Sequence, residues 1–105
     1  MNMNPFELLK NAQSMKEQFA KIQEELKLIE VTGSAGGGIV KVTVNGQFET
    51  QRVELDPIAV DPRDIPMLQD LITAASRDAV SRVQDAVKDK LGPLANGLNI
   101  PGLNL

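Results

Sequence analysis

Between Leu8 and Ile29 the apolar residues Leu8, Ala12, Met15, Phe19, Ile22, Leu26 and Ile29 recur at spacings of 4, 3, 4, 3, 4 and 3. This is an unbroken a/d seam over about three heptads, a period that places all seven side chains on one face of an α-helix. Asn4-Pro5-Phe6-Glu7 has the form of the helix start. Asn4 serves as N-cap, Pro5 sits where its missing N–H costs nothing, and Glu7 is placed to complete a capping box. The spacing predicts a helix running to about Ile29. A seam this strict packs on its own domain or meets another helix, in the same chain or across a dimer.

From Val31 to Leu55 the period changes to two. Val40, Val42 and Val44 share one face of a strand while Ile39, Lys41 and Thr43 share the other, and Asn45-Gly46 predicts a type I′ hairpin turn because both residues tolerate positive φ. In the return strand Val53 and Leu55 keep one parity and Phe48 breaks it. Either a bulge intervenes or Phe48 serves the second face. Val31-Thr32 forms at most a short further strand. The run Gly33-Ser34-Ala35-Gly36-Gly37-Gly38 lacks the Gly-Lys-Ser/Thr ending of a phosphate loop and leads into a strand, so it reads as a sheet connection.

Asp56-Pro57 ends the sheet, since proline cannot donate to a ladder. Asp64 is the favoured cap of a second helix, because Pro66 inside a longer helix would clash with the carbonyl of Pro62. Leu68, Leu71, Ile72, Ala75, Ala79, Val83, Ala86 and Val87 form its apolar side. Gly92 suits a left-handed cap and Pro93 opposes continuation, which predicts an end at about Leu91. Residues 1–91 thus form a single α+β domain, two long helices flanking a small antiparallel sheet. Residues 92–105 carry no charge and consist largely of Gly, Pro, Asn and Leu. They read as a mobile tail, a segment docked on a dimer, or a partner-binding peptide.

With no cysteine and no histidine, the chain has no disulfide framework, thiolate metal site or Cys or His catalyst. The acidic cluster Glu54, Asp56, Asp61 and Asp64 is explained by turns and a helix cap. No nucleophile stands beside a base at recognisable spacing, so an enzyme is not expected, and neither is a cofactor or small-molecule substrate. No apolar run reaches the length of a membrane span and the N-terminus does not resemble a signal peptide, which points to the cytoplasm. With 105 residues, three Phe and no Trp or Tyr, a monomer has little with which to fill a core. A homodimer would bury more.

The net charge of −3 gives a dimer 2 × −3 = −6, so any contact with nucleic acid depends on local patches. Two such patches exist. On the first helix Gln13, Lys16, Ala20, Gln23 and Lys27 form a row without an acid; on the second, Thr73, Arg77, Ser81, Gln84 and Lys88 do the same. Each row sets two cations eleven residues apart, about 16 Å along a helix, with neutral hydrogen-bonding groups between them. Such rows suit the phosphates of duplex DNA. Chance can also leave a solvated helix row free of acids. Arg82 differs, because Asp78, Asp85 and Asp89 share its row. No aromatic residue lies on either acid-free row, so base stacking on single strands is not indicated.

The joint occurrence of the heptad helix ending Leu28-Ile29-Glu30-Val31-Thr32-Gly33, the segment Gly38 to Gly46, the strand ending Val53-Glu54-Leu55-Asp56-Pro57 and a second helix containing Leu68-Gln69-Asp70-Leu71-Ile72-Thr73-Ala74-Ala75 resembles the YbaB/EbfC family of bacterial nucleoid-associated proteins. The resemblance covers nearly the whole chain. It implies an α-β-β-β-α protomer, a homodimer with joined sheets and helices projecting like tweezers, and binding of duplex DNA in the nucleoid without a cofactor. It carries over a helical surface including Lys16, Lys27, Arg77 and Lys88. A competing reading is a dimeric adaptor that binds polypeptides through its helices and apolar tail, which the acidic net charge favours.

Overall fold

The computed structural model describes residues 4–98. Its elements run α1 (Pro5–Leu28), β1 (Glu30–Ala35), β2 (Val40–Asn45), β3 (Thr50–Leu55), a 3-10 turn at Pro57–Ala59, and α2 (Ile65–Leu98). The strands pair antiparallel in the order β1-β2-β3. The fold is α+β, with the expected α-β-β-β-α order.

α1 begins where its cap dictates. The Glu7 N–H donates to Asn4 Oδ1 at 2.8 Å. Its other end is closed from outside the helix: the Gly46 N–H donates to the carbonyls of Leu26 at 2.9 Å and Ile29 at 3.0 Å, filling acceptors that a helix end leaves open. A Cβ on Gly46 would fall against the Leu26 carbonyl.

The two-residue hairpin turn at Asn45-Gly46 does not form. Asn45 is the last residue of β2, buried, and its Oδ1 accepts from the N–H groups of Gln47 at 2.9 Å and Glu49 at 3.1 Å. The side chain thereby organises a longer loop, and the positive φ falls at Phe48, at 62°. The parity conflict is resolved by a bulge: Thr43 pairs with Arg52 but Val44 with Thr50, leaving Gln51 as the extra residue. Phe48 belongs to the loop and serves neither face.

β1 is longer than the Val31-Thr32 pair, because Gly33 is part of the strand. It lies opposite Val42, and a Cβ there would collide with the backbone of Ala75 and Ala79. Glycine on the strand and alanines on the helix let α2 approach the sheet backbone directly. The connection to β2 is made by Gly36, Gly37 and Gly38, all at positive φ, whereas Gly33, Ser34 and Ala35, expected in the same connection, are paired residues of β1. Above it, Val40, Val42 and Val44 pack against Ala75, Ala79, Val83 and Val87 to form the core.

α2 starts at its expected cap, with the Met67 N–H donating to Asp64 Oδ1 at 3.2 Å. Its expected end at Leu91 is not observed: the helix continues through Gly92 and Pro93 to Leu98. Pro93 forfeits one hydrogen bond to the carbonyl of residue 89, and Asp89 is exposed, so water can satisfy that carbonyl. Of the expected tail, residues 92–98 are therefore helical, and residues 99–105 lie outside the described residues.

Two surfaces remain uncovered. All six residues of β3 are exposed, including Val53 at 46% and Leu55 at 41% on the face that α2 covers elsewhere. On α1, Leu26 is buried in the core of its own chain with Ile22 and Ile29 half-buried beside it, whereas Leu8, Met15 and Phe19 are 55%, 69% and 63% exposed. The seam is thus divided. Its inner part packs at home and its outer part stands exposed, in a molecule 71 × 19 × 18 Å in extent.

Candidate nucleic-acid interface

Regular helix geometry carries both acid-free rows into the structure. Gln13, Lys16 and Lys27 are exposed on α1, and Arg77, Ser81, Gln84 and Lys88 are exposed on α2. Gln23 is the exception. It is half-buried, and its backbone carbonyl and Oε1 accept from Gln47 Nε2 at 3.2 and 2.9 Å, so it ties α1 to the β2–β3 loop. Thr73 also turns inward chemically, its hydroxyl donating to the Gln69 carbonyl at 2.9 Å. Arg77, Ser81 and Gln84 border a shallow groove along α2 whose other lining includes Ile72, Ser76 and Val80.

The cations divide into two groups by their neighbours. Among the described residues, Arg52 pairs with Glu54 at 3.2 Å and Glu30 at 3.8 Å, Arg63 with Asp61 at 3.1 Å, Arg82 with Asp78 at 3.1 Å and Lys90 with Glu25 at 3.9 Å. Lys16, Lys27, Arg77 and Lys88 enter none of these pairs, and neither do Lys10, Lys21 and Lys41, which lie off the two rows. A cation held by a carboxylate is already partly neutralised and releases fewer counterions on meeting a phosphate.

Asp78 is the clearest case of such neutralisation. Its Oδ2 accepts from the Ser34 backbone N–H at 3.0 Å and from Arg82 Nε at 3.1 Å. The Ser34 N–H first and Arg82 second hold its carboxyl below the usual carboxylate range. One acid thereby fastens α2 to β1 and removes Arg82 from the free cations. The row crowding read from Asp78, Asp85 and Asp89 predicts that outcome for Arg82, but the link to Ser34, 44 residues away, carries no sequence signal.

Sequence rows also passed over Lys41, which the structure places exposed on the outer face of the sheet between Ser34 and Glu54. Its alternation against Val40 and Val42 was the available signal. Among the described residues, no group of three metal-ligating side chains is assembled, and no helix is long and apolar enough to cross a membrane.

A family model described as the YbaB/EbfC DNA-binding family matches residues 1–98. The chain belongs to that family. Its relatives include a nucleoid-associated protein of Dictyoglomus thermophilum, 43% identical over 98 residues that cover 93% of this chain and 94% of the relative. Another, a nucleoid-associated protein of Rhodococcus erythropolis, is 47% identical over 98 residues, covering 91% of this chain and 88% of the relative. The crystal structure of an uncharacterized protein from Helicobacter pylori superposes with a TM-score of 0.71 at 25% identity, covering 89% of this chain and 98% of that one. As a YbaB/EbfC member, the chain joins a family of bacterial nucleoid-associated DNA-binding proteins. That family is not one known for enzymes.

Proposed function

We propose that this protein binds duplex DNA in the nucleoid as a homodimer with low sequence selectivity, the phosphates being contacted by Lys16 and Lys27 on α1 and by Arg77 and Lys88 on α2. The observation that supports the reading is the coincidence of two properties: these four cations lie on the acid-free rows, and they are exposed and outside the ion pairs that hold Arg52, Arg63, Arg82 and Lys90. Gln13, Ser81 and Gln84 supply neutral donors on the same rows, and Gln23 does so with the part of its amide that Gln47 leaves free. Contacts of this kind position a protein on the backbone without reading bases.

The homodimer is supported by β3, an exposed edge strand with Val53 and Leu55 half-uncovered on its inner side. Unpaired strand edges and apolar area of this kind are normally covered by another chain. Leu26 of the heptad seam packs in the core of its own chain and so offers no area to a partner.

The test is a binding titration on duplex DNA of mixed sequence at two salt concentrations, with the oligomeric state measured by light scattering. Affinity falls steeply with salt if phosphate contacts dominate. Preference of more than about a thousandfold for one short sequence would show dedicated base readout and end the low-selectivity reading.

A further inference from the structure

The sheet has β1 at one edge and β3 at the other, and the two edges are finished differently. All six residues of β3 are exposed, and among the described residues no side chain bonds a backbone N–H of that strand. On β1 the Ser34 N–H donates to Asp78 Oδ2 of α2 at 3.0 Å. An N–H bonded in this way is directed away from β2, and in an antiparallel pair every second residue of an edge strand is turned outward, so the free edge of β1 is made by Glu30, Thr32 and Ser34. The 2.9 Å contact between the hydroxyls of Thr32 and Thr43 agrees with that phase, because facing residues that exchange no backbone bonds bring their side chains closer. We propose that Asp78 closes the β1 edge against a strand of a second copy of the chain, so that β3 is left as the edge at which a strand can be added.

The Asp78 carboxylate occupies the donor that the carbonyl of an added strand would need, and its negative charge opposes the approach of that carbonyl. It is fixed there from two sides. Arg82 Nε, one turn along α2, holds the same oxygen at 3.1 Å, so the carboxylate does not swing clear of the edge. The helix that carries it is itself pinned to β1, because Gly33 places no Cβ between the strand and the backbone of Ala75 and Ala79. Without this block β1 would be a serviceable template, since Val31 and Thr32 are β-branched and Glu30 is its single charge. A sheet with one open edge stops growing when that edge is paired. With two open edges, copies add edge to edge without closing, which gives chains rather than a finite assembly.

The test is sedimentation of Asp78→Ala in the full chain at rising protein concentration, without DNA, with folding checked by circular dichroism. The variant is expected to reach at least about twice the wild-type mass and to go on growing with concentration. An unchanged mass in the folded variant overturns the proposal. Asp78→Asn keeps an oxygen for the Ser34 N–H and is expected to keep the wild-type mass; growth equal to that of Asp78→Ala would assign the effect to charge alone and overturn the block at Ser34. Ser34→Pro in the Asp78→Ala background removes the freed donor at a position where an edge strand tolerates proline, and it should restore the wild-type mass. Persistent growth there would show that the new contact lies elsewhere. Hydrogen exchange in the wild type supplies a readout that needs no variant: after correction for local sequence, the Ser34 amide should exchange about tenfold or more slowly than that of Thr32 on the same edge, and equal rates would overturn the proposal. None of these results depends on whether the protein binds DNA or on the oligomeric state of the wild type.

Discussion

α1 and α2 are both amphipathic helices, yet their apolar faces meet opposite fates. On α2, Ala75, Ala79, Val83 and Val87 lie buried against the sheet. On α1, only Leu26 is buried, and Met15 and Phe19 stand in solvent. The difference follows from size and partner rather than from periodicity. Small residues on α2 meet Gly33 on β1, so helix and strand backbones touch and a long row is covered at once. The large residues of the outer part of α1 find nothing set against them among the described residues. A repeating apolar face announces that something will cover it; which surface does so is decided by what the rest of the chain brings near.

The comparison breaks most severely at Gly33. Gly33→Ala forces a Cβ into the backbone of Ala75 and Ala79, and neither can yield as a flexible side chain would. Destabilisation of about 3 kcal/mol is expected, at the upper end of overpacking costs, measured as a shift in the denaturant midpoint at constant slope. If Gly33→Ala unfolds like the wild type, the close approach of α2 to β1 is not what holds the core.

Next in size is the contrast between free and paired cations. In the proposed dimer Arg77→Gln removes two cations and, if both copies touch phosphate, makes the salt dependence of log affinity shallower by up to about 1.8, at about 0.9 per contact. Arg82→Gln should change it little, because Asp78 already holds Arg82. Equal losses from the two substitutions, with both proteins still dimeric, would show that position on these rows is irrelevant.

Asp78→Asn sharpens the same contrast from the other side. It releases Arg82 and should steepen the salt dependence, by at most the amount that Arg77→Gln removes. The substitution also has a signature in acid. The Asp78 carboxyl is held below its ordinary value by the Ser34 N–H and Arg82, so its stabilising contribution is complete above the unfolded value of about 3.9 and is lost as pH falls through the lower folded value. In Asp78→Asn the acid side of the stability profile should flatten in that window. An unchanged profile would mean that the carboxylate contributes nothing to the attachment of α2 to β1.

The smallest effect belongs to the outer seam. Phe19→Ala, measured at protein concentrations low enough to keep copies apart, should alter stability by no more than about 0.5 kcal/mol, as for other exposed positions. A cost of the size expected for a buried phenylalanine, about 3 kcal/mol or more, would mean that the chain covers its own α1 in solution.

The local order of elements was legible because its signals are local. Asn4 and Asp64 cap their helices, period two marks the strands, and three successive glycines mark the turn at positive φ. Asn45-Gly46 marks the β2–β3 connection in the sequence, but not through the two-residue turn that these residues predict. Gly46 is required by its approach to the α1 C-terminus, and the turn conformation comes instead from the Asn45 side chain and from Phe48. The end of α2 was placed too early, since Gly92 and Pro93 punctuate strongly in sequence but cost little near the exposed end of a long helix. Among the proposed contact residues, the rows themselves were legible, because an α-helix fixes which residues are neighbours. The diversion of Gln23 to Gln47 was not, because it depends on where a loop 24 residues away comes to rest.

The sequence by itself determined the α-β-β-β-α order, the two acid-free rows, the crowded environment of Arg82 and the family to which the chain belongs, all of which rest on spacing along the chain. Tertiary structure alone decided that α1 keeps only the inner part of its seam at home, that Gly33 serves helix approach, that Asp78 joins α2 to β1 and that β3 is left at an open edge. These are contacts between residues distant in sequence, and periodicity specifies a face without specifying its neighbour.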